Sequence, residues 1–346
     1  MGLLLARVAP VRPDLWVMLR AHLLGVGGRR PVPAGVAAEA AGFTRSWLRD
    51  LLGQVRALAL VTGPPACVVE GVRLLEGGPV RTVEEARAVL VTAGVSSSGV
   101  HPGGLLRVAE VVGVACRAQL VEAGGVVVVA PGGRAALERG VRAAAGAAVR
   151  GVDVAPVDAV AAAAGVPVAV AAGVLGRDGR WVVLQAGDGS WWCWRRGGRA
   201  GQRHLVASTV VRLLAVRSYA PGELREAVVE VLSRVPPSAR AGVDVEGIAP
   251  AGVWVAWLVS GGLLIPDPAA EGAAGAESGV LRCAPEAGVG SDVVLAGAVR
   301  AAGGPVSSAH LAVVLREAGY APSSAVQLAR SSPVLVRVGR DAYVLR

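Results

Sequence analysis

The sequence predicts a mainly α protein with short β-hairpins, an α+β chain built as a tandem array of similar units. Residues 36–52 (VAAEAAGFTRSWLRDLL) follow the pattern of a helix, a tight turn and a second helix. Similar patterns recur along the chain, and a pair of short valine-rich runs follows each three-helix stretch. Apolar residues at helical spacing, followed by short apolar runs around turn residues, indicate helices alternating with hairpins.

The first helix-turn-helix pattern is centred on Gly42. Ala38 precedes it by four residues, and a small side chain there lets the two helices approach closely. Glycine accepts the left-handed backbone that the turn requires, and Leu48 supplies an apolar contact between the helices. Thr44 stands where the second helix needs its N-cap. The pattern therefore predicts two helices joined at Gly42.

Five units with three helices and a hairpin are predicted. They cover residues 14–69, 82–130, 135–194, 203–283 and 292–346. In the first unit, helices begin at Asp14, Pro33 and Thr44, and residues 57–61 and 66–69 are expected to form strands around a Gly-Pro-Pro turn. Three helices followed by a hairpin is the order of a winged helix-turn-helix domain, so the fold predicted is a tandem array of such domains.

The second and third units carry local signals of their own. Thr82 and Glu85 form a capping box at the first helix of the second unit, and residues 116–123 are expected to form its third helix. In the third unit, Pro167 opens the third helix, and a hairpin follows at 180–194. Residues 159–176 are uncharged and long enough for a membrane span, but two short buried helices around Pro167 explain them better.

The last two units differ in regularity. The fourth contains residues 266–279, rich in Ala, Gly and Pro, which are expected to form a long, mobile wing loop. The fifth is regular, with a third helix at 323–331 and a hairpin at 334–345. A generic helical repeat is the alternative to winged helices for the whole array.

The closing stretch, residues 304–346, resembles a winged helix-turn-helix module that is common in bacterial regulators. The matching positions are the Gly-Pro-Val-Ser-Ser start, Leu311, Leu315, Gly319, the helix at Ser323, Ser332-Pro333 and the Val-Arg-Val-Gly-Arg hairpin that ends at Tyr343–Leu345. The stretch is similar to HARE-type domains and to the region-4-like domains of actinobacterial sigma-factor-like proteins, and residues 203–232 resemble another part of that group. The resemblance implies DNA binding or docking inside a DNA-bound complex. No region suited to promoter melting is found, so a sigma factor is not predicted.

A winged helix places its third helix in the major groove and its hairpin against phosphates. Exposed polar residues early in that helix are therefore candidates for base contacts, and arginines on hairpins and linkers for phosphate contacts. The predicted DNA-binding residues are Arg45, Ser46, Arg49, Arg195, Arg196, Arg199, Arg203, Ser324, Gln327, Arg330, Arg337 and Arg340. Ser323 is either a further base contact or the helix cap. The third helices of the second and third units carry little charge and are expected to pack against neighbours or bind protein.

The charge of the chain fits a polyanionic partner. All 35 basic residues are arginine, and the formal net charge is +9. A guanidinium binds phosphate or guanine bidentately and keeps its charge at any physiological pH. A GC-rich genome explains the absence of lysine, and general solubility is an alternative explanation of the charge. Three tryptophans at 191–194 are interpreted as core, with base stacking on a single strand as the alternative.

The sequence contains no pattern typical of catalysis or of a cofactor. Its four cysteines stand singly, which indicates buried, reduced thiols and no zinc site. No catalytic residue, metal or cofactor is therefore predicted, and the expected location is the cytoplasm, in association with the nucleoid. The predicted function is non-catalytic binding of duplex DNA in transcription regulation or DNA organisation, with RNA polymerase or another protein as a possible partner. The alternative is a protein-interaction scaffold of degenerate winged helices.

Overall fold

The computed structural model describes residues 20–27, 30–96, 100–150, 154–196, 205–216, 218–236, 249–261, 264–266, 281–283 and 290–346. The described chain is mainly helical with small antiparallel sheets, as the sequence predicts for an α+β protein. It divides into two compact bodies. The N-terminal body comprises residues 1–144 and 158–177, and the C-terminal body residues 145–157 and 178–346.

The helices and strands are grouped into five consecutive segments of the chain. The first segment, residues 34–62, contains α1 (Ala34–Ala40) and α2 (Arg45–Thr62). The second, residues 66–130, contains α3 (Ala66–Glu76), β1 (Arg81–Thr82), α4 (Val83–Thr92), α5 (Pro102–Val111), β2 (Gln119–Ala123) and β3 (Val126–Ala130). The third, residues 133–195, contains α6 (Gly133–Ala148), β4 (Val154–Pro156), α7 (Val157–Ala164), α8 (Val168–Arg177), β5 (Trp181–Gln185) and β6 (Trp191–Arg195).

The last two segments lie in the C-terminal body. The fourth, residues 205–283, contains α9 (Leu205–Leu214), α10 (Pro221–Ser233), α11 (Ala251–Ser260), β7 (Leu264–Pro266) and β8 (Leu281–Cys283). The fifth, residues 290–345, contains α12 (Gly290–Ala302), β9 (Val306–Ser307), α13 (Ser308–Glu317), α14 (Pro322–Ser331), β10 (Leu335–Arg337) and β11 (Ala342–Leu345). Most of the predicted wing loop at 266–279 lies outside the described residues, as do Asp14, Arg199 and Arg203.

The second, third and fifth segments share one topology. Each runs helix, strand, two helices and two strands, and each forms a three-stranded antiparallel sheet with the last strand in the middle. The first strand therefore pairs with the last, as β1 does with β3, β4 with β6 and β9 with β11. In the second and fifth segments, this pairing joins the two ends of the chain stretch that contains the two middle helices.

Short-range signals explain where the helices of this topology begin and turn. Thr82 and Glu85 form the predicted capping box at α4, and Ser307 accepts a hydrogen bond from the His310 amide at the start of α13. Glycines with left-handed backbone separate the middle helices, as Gly165 does at φ +62° and Gly319 at φ +90°. The predicted turn at Gly42, with φ +74° and with Ala38 and Leu48 buried on either side, is confirmed.

Two predicted strands in the first unit are wrong, because residues 57–61 belong to α2 and residues 66–69 to α3. The apolar residues there have helical spacing: Val55 and Ala59 are buried on one face of α2, and Val68, Val72 and Leu75 on one face of α3. The Gly-Pro-Pro stretch ends α2 instead of closing a hairpin, and its glycine has φ +79°. Tertiary packing thus outweighs the strand preference of the valines.

The predicted helix at 116–123 is also wrong. Residues 119–123 form β2, which pairs in register with β3 across Gly124 and Gly125. Both glycines have left-handed backbone, at φ +59° and +75°, as a two-residue hairpin turn requires. The shared topology of the second segment consequently starts at Ala66, before the predicted start at Thr82.

Each body has its own apolar core. The core of the N-terminal body runs from Leu23 through α1–α5 to Val129, and that of the C-terminal body from Val154 to Tyr343. No single described helix is long and apolar enough to cross a membrane, and two sharply bent pairs, 45–76 and 157–177, pass that test by length and composition only. The predicted pair of short helices around Pro167 is confirmed as α7 and α8.

The cysteine prediction holds in part. Cys193 is buried and Cys116 half-buried, whereas Cys67 is exposed, contrary to the expectation of buried thiols. Burial raises the pKa of the Cys193 thiol to about 12, so this thiol stays protonated and packs as a small apolar side chain.

Candidate nucleic-acid interface

Helix α14 presents a polar face, because its buried residues recur at helical spacing and leave the polar residues on the other side. Ala325 and Ala329 are buried one turn apart, while Ser324, Gln327 and Arg330 are exposed. These two small residues on the inner face let α14 pack closely against the rest of the fifth segment, and the outer face of α14 stays exposed. The N-cap is Ala321, with Pro322 as the first helical residue, so Ser323 is exposed and does not cap the helix.

The hairpin β10–β11 places two further arginines beside this helix. Arg337 is exposed and donates to the carbonyl oxygens of Gly339, at 2.9 Å, and Arg340. These bonds fold the guanidinium back over the hairpin turn. Arg340 is exposed, and its side chain makes no hydrogen bond or ion pair with the described residues. Arg337 thus stabilises the turn of the hairpin, and Arg340 is available there to bind a ligand.

Four of the five predicted residues of helix and hairpin, all but Ser324, meet at one cavity of about 910 Å³, here called the basic cavity. Gln327, Arg330, Arg337 and Arg340 all line it. Arg234 at the end of α10 and Arg346 after β11 also line it, and sequence analysis missed both. Neither stands on a predicted third helix or hairpin, and more than a hundred residues separate them, so no local pattern marks them.

A buried ion pair supports this face from within. Asp292 on α12 is 0% exposed and accepts from Arg212 at 2.6 and 3.1 Å. Its Oδ1 also accepts from the Ser332 hydroxyl at 2.6 Å. Ser332 is the C-cap residue of α14, so the network ties the end of that helix to α9 and α12.

The first helix-turn-helix has fewer available cations. Arg45 is exposed but pairs with Glu39 at 2.6 Å, and the Ser46 hydroxyl lies 3.1 Å from the Thr44 hydroxyl. Arg49 is exposed and makes no hydrogen bond or ion pair with the described part of the chain. Of the two predicted arginines on α2, Arg49 is therefore the one without a partner among the described residues.

The predicted DNA-binding arginines at 195–203 are described only in part, because Arg199 and Arg203 lie outside the described residues. The Arg195 guanidinium lies 5.7 Å from the ring centre of Trp181, and Arg196 is exposed. Trp192 and Trp194 are buried, and the Trp194 indole donates to the Ser260 hydroxyl at 3.0 Å. Burial removes these two rings from the base-stacking alternative and favours the core interpretation for them. Trp191 is exposed, so the core interpretation does not hold for it.

The third helices of the N-terminal body are covered. On α8, a Cβ at Gly173 would lie 2.1 Å from the Gly124 amide nitrogen, so the helix backbone packs against the β2–β3 turn. Arg177, the one charge on α8, donates to the Glu122 carbonyl oxygen at 3.1 Å. On α5, a Cβ at Gly104 would lie 1.9 Å from a carbonyl oxygen of Leu24. The predicted packing against neighbours is thus observed for α8. The third helix predicted at 116–123 does not exist, because residues 119–123 form β2, and α5 takes the third-helix place in the second segment.

No protein-family model, curated protein or solved structure matches the chain.

Proposed function

We propose that this chain is a non-catalytic DNA-binding protein and that its repeated segments are winged helix-turn-helix domains. The order helix, strand, two helices and two strands, with the first strand paired to the last, supports this identification. The role that fits is transcription regulation or DNA organisation in a nucleoid-associated, cytoplasmic setting, with RNA polymerase or another protein as a further partner.

The observation that carries the proposal is the convergence of α14 and the β10–β11 hairpin. Three exposed polar residues of the helix, Ser324, Gln327 and Arg330, would face base edges in the major groove. Arg337 and Arg340 on the hairpin would neutralise phosphates beside the groove. Winged helices bind duplex DNA in this way: one helix contacts the bases, and the basic hairpin beside it contacts the phosphates.

A second candidate function applies to the N-terminal body. Its covered, weakly charged third helices α5 and α8 are poorly suited to a DNA groove. They favour a scaffold role in which the N-terminal body binds protein while the fifth segment holds DNA. Arg49 on α2 is an accessible cation of the N-terminal body that could make a weaker DNA contact.

The test is fluorescence anisotropy of a labelled random-sequence duplex titrated with the full chain at several salt concentrations. Affinity should fall steeply with salt, because each neutralised phosphate releases counterions. Arg330→Ala should weaken binding by about tenfold, as expected for loss of one base or phosphate contact of 1–3 kcal/mol. Arg49→Ala should have a smaller effect.

The matched control is Arg117→Ala, which removes another exposed arginine outside these surfaces. Its affinity should stay within twofold of the parent chain. No binding at low salt would reject the DNA proposal and favour the scaffold. Equal losses for Arg117→Ala and Arg330→Ala would leave only a non-specific charge effect and would reject the assigned surface.

A further inference from the structure

The basic cavity extends beyond the predicted interface to the end of α10. Its wall contains the arginines Arg234, Arg330, Arg337, Arg340 and Arg346. Asp341 is the carboxylate in the same wall, where it accepts from the Ser308 hydroxyl. Glu230 on α10 pairs with both Arg234 and Arg346. Five positive and two negative side chains leave an excess of three positive charges, which favours an anion.

Arg346 contributes a buried cation to this wall. Its side chain is 7% exposed, and its Nε donates to the Pro333 carbonyl oxygen at 3.1 Å. Nη1 pairs with Glu230, whereas Nη2 is buried and has no hydrogen-bond partner among the described residues. A buried donor without an acceptor is costly, so an oxygen-rich ligand at this point would stabilise it.

Electrostatics at Arg346 point in the same direction. Burial lowers the pKa of this guanidinium, and the nearby charge of Arg234 also lowers it, while Glu230 opposes the shift. Charge at this position is therefore disfavoured by desolvation and by a like-charged neighbour. Adding an anion to the cavity would relieve the repulsion between Arg234 and Arg346.

We infer that the basic cavity binds a phosphate group, with Arg234 and Arg346 as ligands in addition to the hairpin arginines Arg337 and Arg340. Guanidinium groups match phosphate oxygens in pairs, and arginines from three separate elements can surround one group. The volume of about 910 Å³ also leaves room for the nucleoside that a backbone phosphate carries. The inference rests on the proposed function for the source of that phosphate, the duplex backbone.

The experiment compares Arg234→Gln and Arg346→Gln with Arg316→Gln in the full chain. Arg316 is an exposed arginine on α13 outside the cavity, so its substitution removes the same charge from the same body. Duplex affinity is measured across salt concentrations, and the melting temperature with and without inorganic pyrophosphate. Arg234→Gln should weaken duplex binding by about tenfold and reduce the slope of log affinity against log salt by about one. Arg316→Gln should change neither by more than twofold.

The two readouts separate this inference from the proposed function. If the duplex binds and both cavity variants behave like Arg316→Gln, the phosphate site is wrong and DNA binding stands. If the duplex does not bind, but pyrophosphate raises the melting temperature of the parent and not of Arg234→Gln, the site stands with a free phosphate as its source. Equal stabilisation of every variant by pyrophosphate, or none of any, overturns the inference. Arg234→Gln decides the result even if Arg346→Gln fails to fold, because Arg234 is half exposed.

Discussion

Helices α8 and α14 occupy the same place in two copies of one topology, yet their surroundings differ. Each has ten residues, follows a glycine turn and precedes a hairpin. In α8, three residues are exposed and the backbone packs against the β2–β3 turn, whereas seven residues of α14 are exposed. The comparison shows that the repeated order of elements fixes the scaffold, while packing on the outer face decides whether the helix can carry polar chemistry.

The sequences of the two helices match these surroundings. Helix α8 (VAVAAGVLGR) has glycine at 173, where a neighbouring backbone approaches, and its single charge is satisfied by a carbonyl oxygen. Helix α14 (PSSAVQLARS) confines its small apolar residues to the inner face. Substitutions should therefore act through different mechanisms at the two helices, by disturbing close packing in α8 and by removing polar anchoring in α14.

The largest loss of stability is expected when the network of Arg212, Asp292 and Ser332 beneath α14 is broken. Asp292→Ala removes the carboxylate that pairs with Arg212 and accepts from Ser332, and leaves the part-buried guanidinium without its partner. Breaking one side of such a buried pair costs about 3–5 kcal/mol of unfolding free energy. Urea denaturation followed by tryptophan fluorescence measures the loss. Glu317→Ala, an exposed carboxylate on α13, is the control and should change stability by less than about 0.5 kcal/mol. A similar, small loss in both variants would show that the network does not anchor α14.

A smaller effect of packing is expected at α8. Gly173→Ala places a methyl group 2.1 Å from the Gly124 amide nitrogen, so the helix and the turn must separate. Overpacking of this kind costs about 1–3 kcal/mol. Gly176→Ala on the same helix meets nothing within 4 Å and should stabilise the chain by about 0.4–1 kcal/mol, because alanine restricts the unfolded state. Thermal or urea denaturation of both variants decides the point, and the same sign of change for both would contradict the close approach.

The sequence was sufficient where local signals set the structure. The turn at Gly42, the capping box at Thr82 and the helix and hairpin of the fifth segment each depend on residues close in the chain. Prediction failed at 57–61, 66–69 and 116–123, where short runs with apolar residues suit a helix and a strand alike. There the choice depends on which face is buried and on the Gly124-Gly125 turn.

The residues of the candidate site also fall into those that the sequence could predict and those that it could not. Gln327, Arg330, Arg337 and Arg340 could be predicted, because a helix and the following hairpin lie within twenty residues of each other. Arg346 joins them by pairing with Glu230, 116 residues earlier, a contact that only the tertiary fold creates. The pair between Arg45 and Glu39 could not be predicted either. The helix-turn-helix motif specifies which residues face outward, but it does not specify which of them form ion pairs.

The smallest effect is expected at the start of α5, the other covered third helix of the N-terminal body. His101 is buried, and its Nδ1 accepts from the Gly103 amide at 3.0 Å, so the imidazole caps the helix in its neutral form. Burial lowers the pKa of His101, the charges of Arg87 and Arg30 lower it further, and Glu84 opposes them. Protonation of Nδ1 would also remove the acceptor of the cap.

The sign of the pH dependence follows from that shift. The unfolded chain takes up the His101 proton near pH 6.5, the ordinary value, while the folded chain takes it up only at lower pH. Its contribution to stability is therefore complete above about pH 6.5 and is lost as the pH falls from there through the lowered pKa. Melting temperatures of the parent chain and of His101→Asn, measured from neutral to acidic pH, isolate this contribution. Asparagine can still accept from the Gly103 amide but does not titrate, so the parent should lose more stability on acidification than the variant. Parallel pH profiles would mean that His101 is already accessible to protons, and that α5 is less covered than α8.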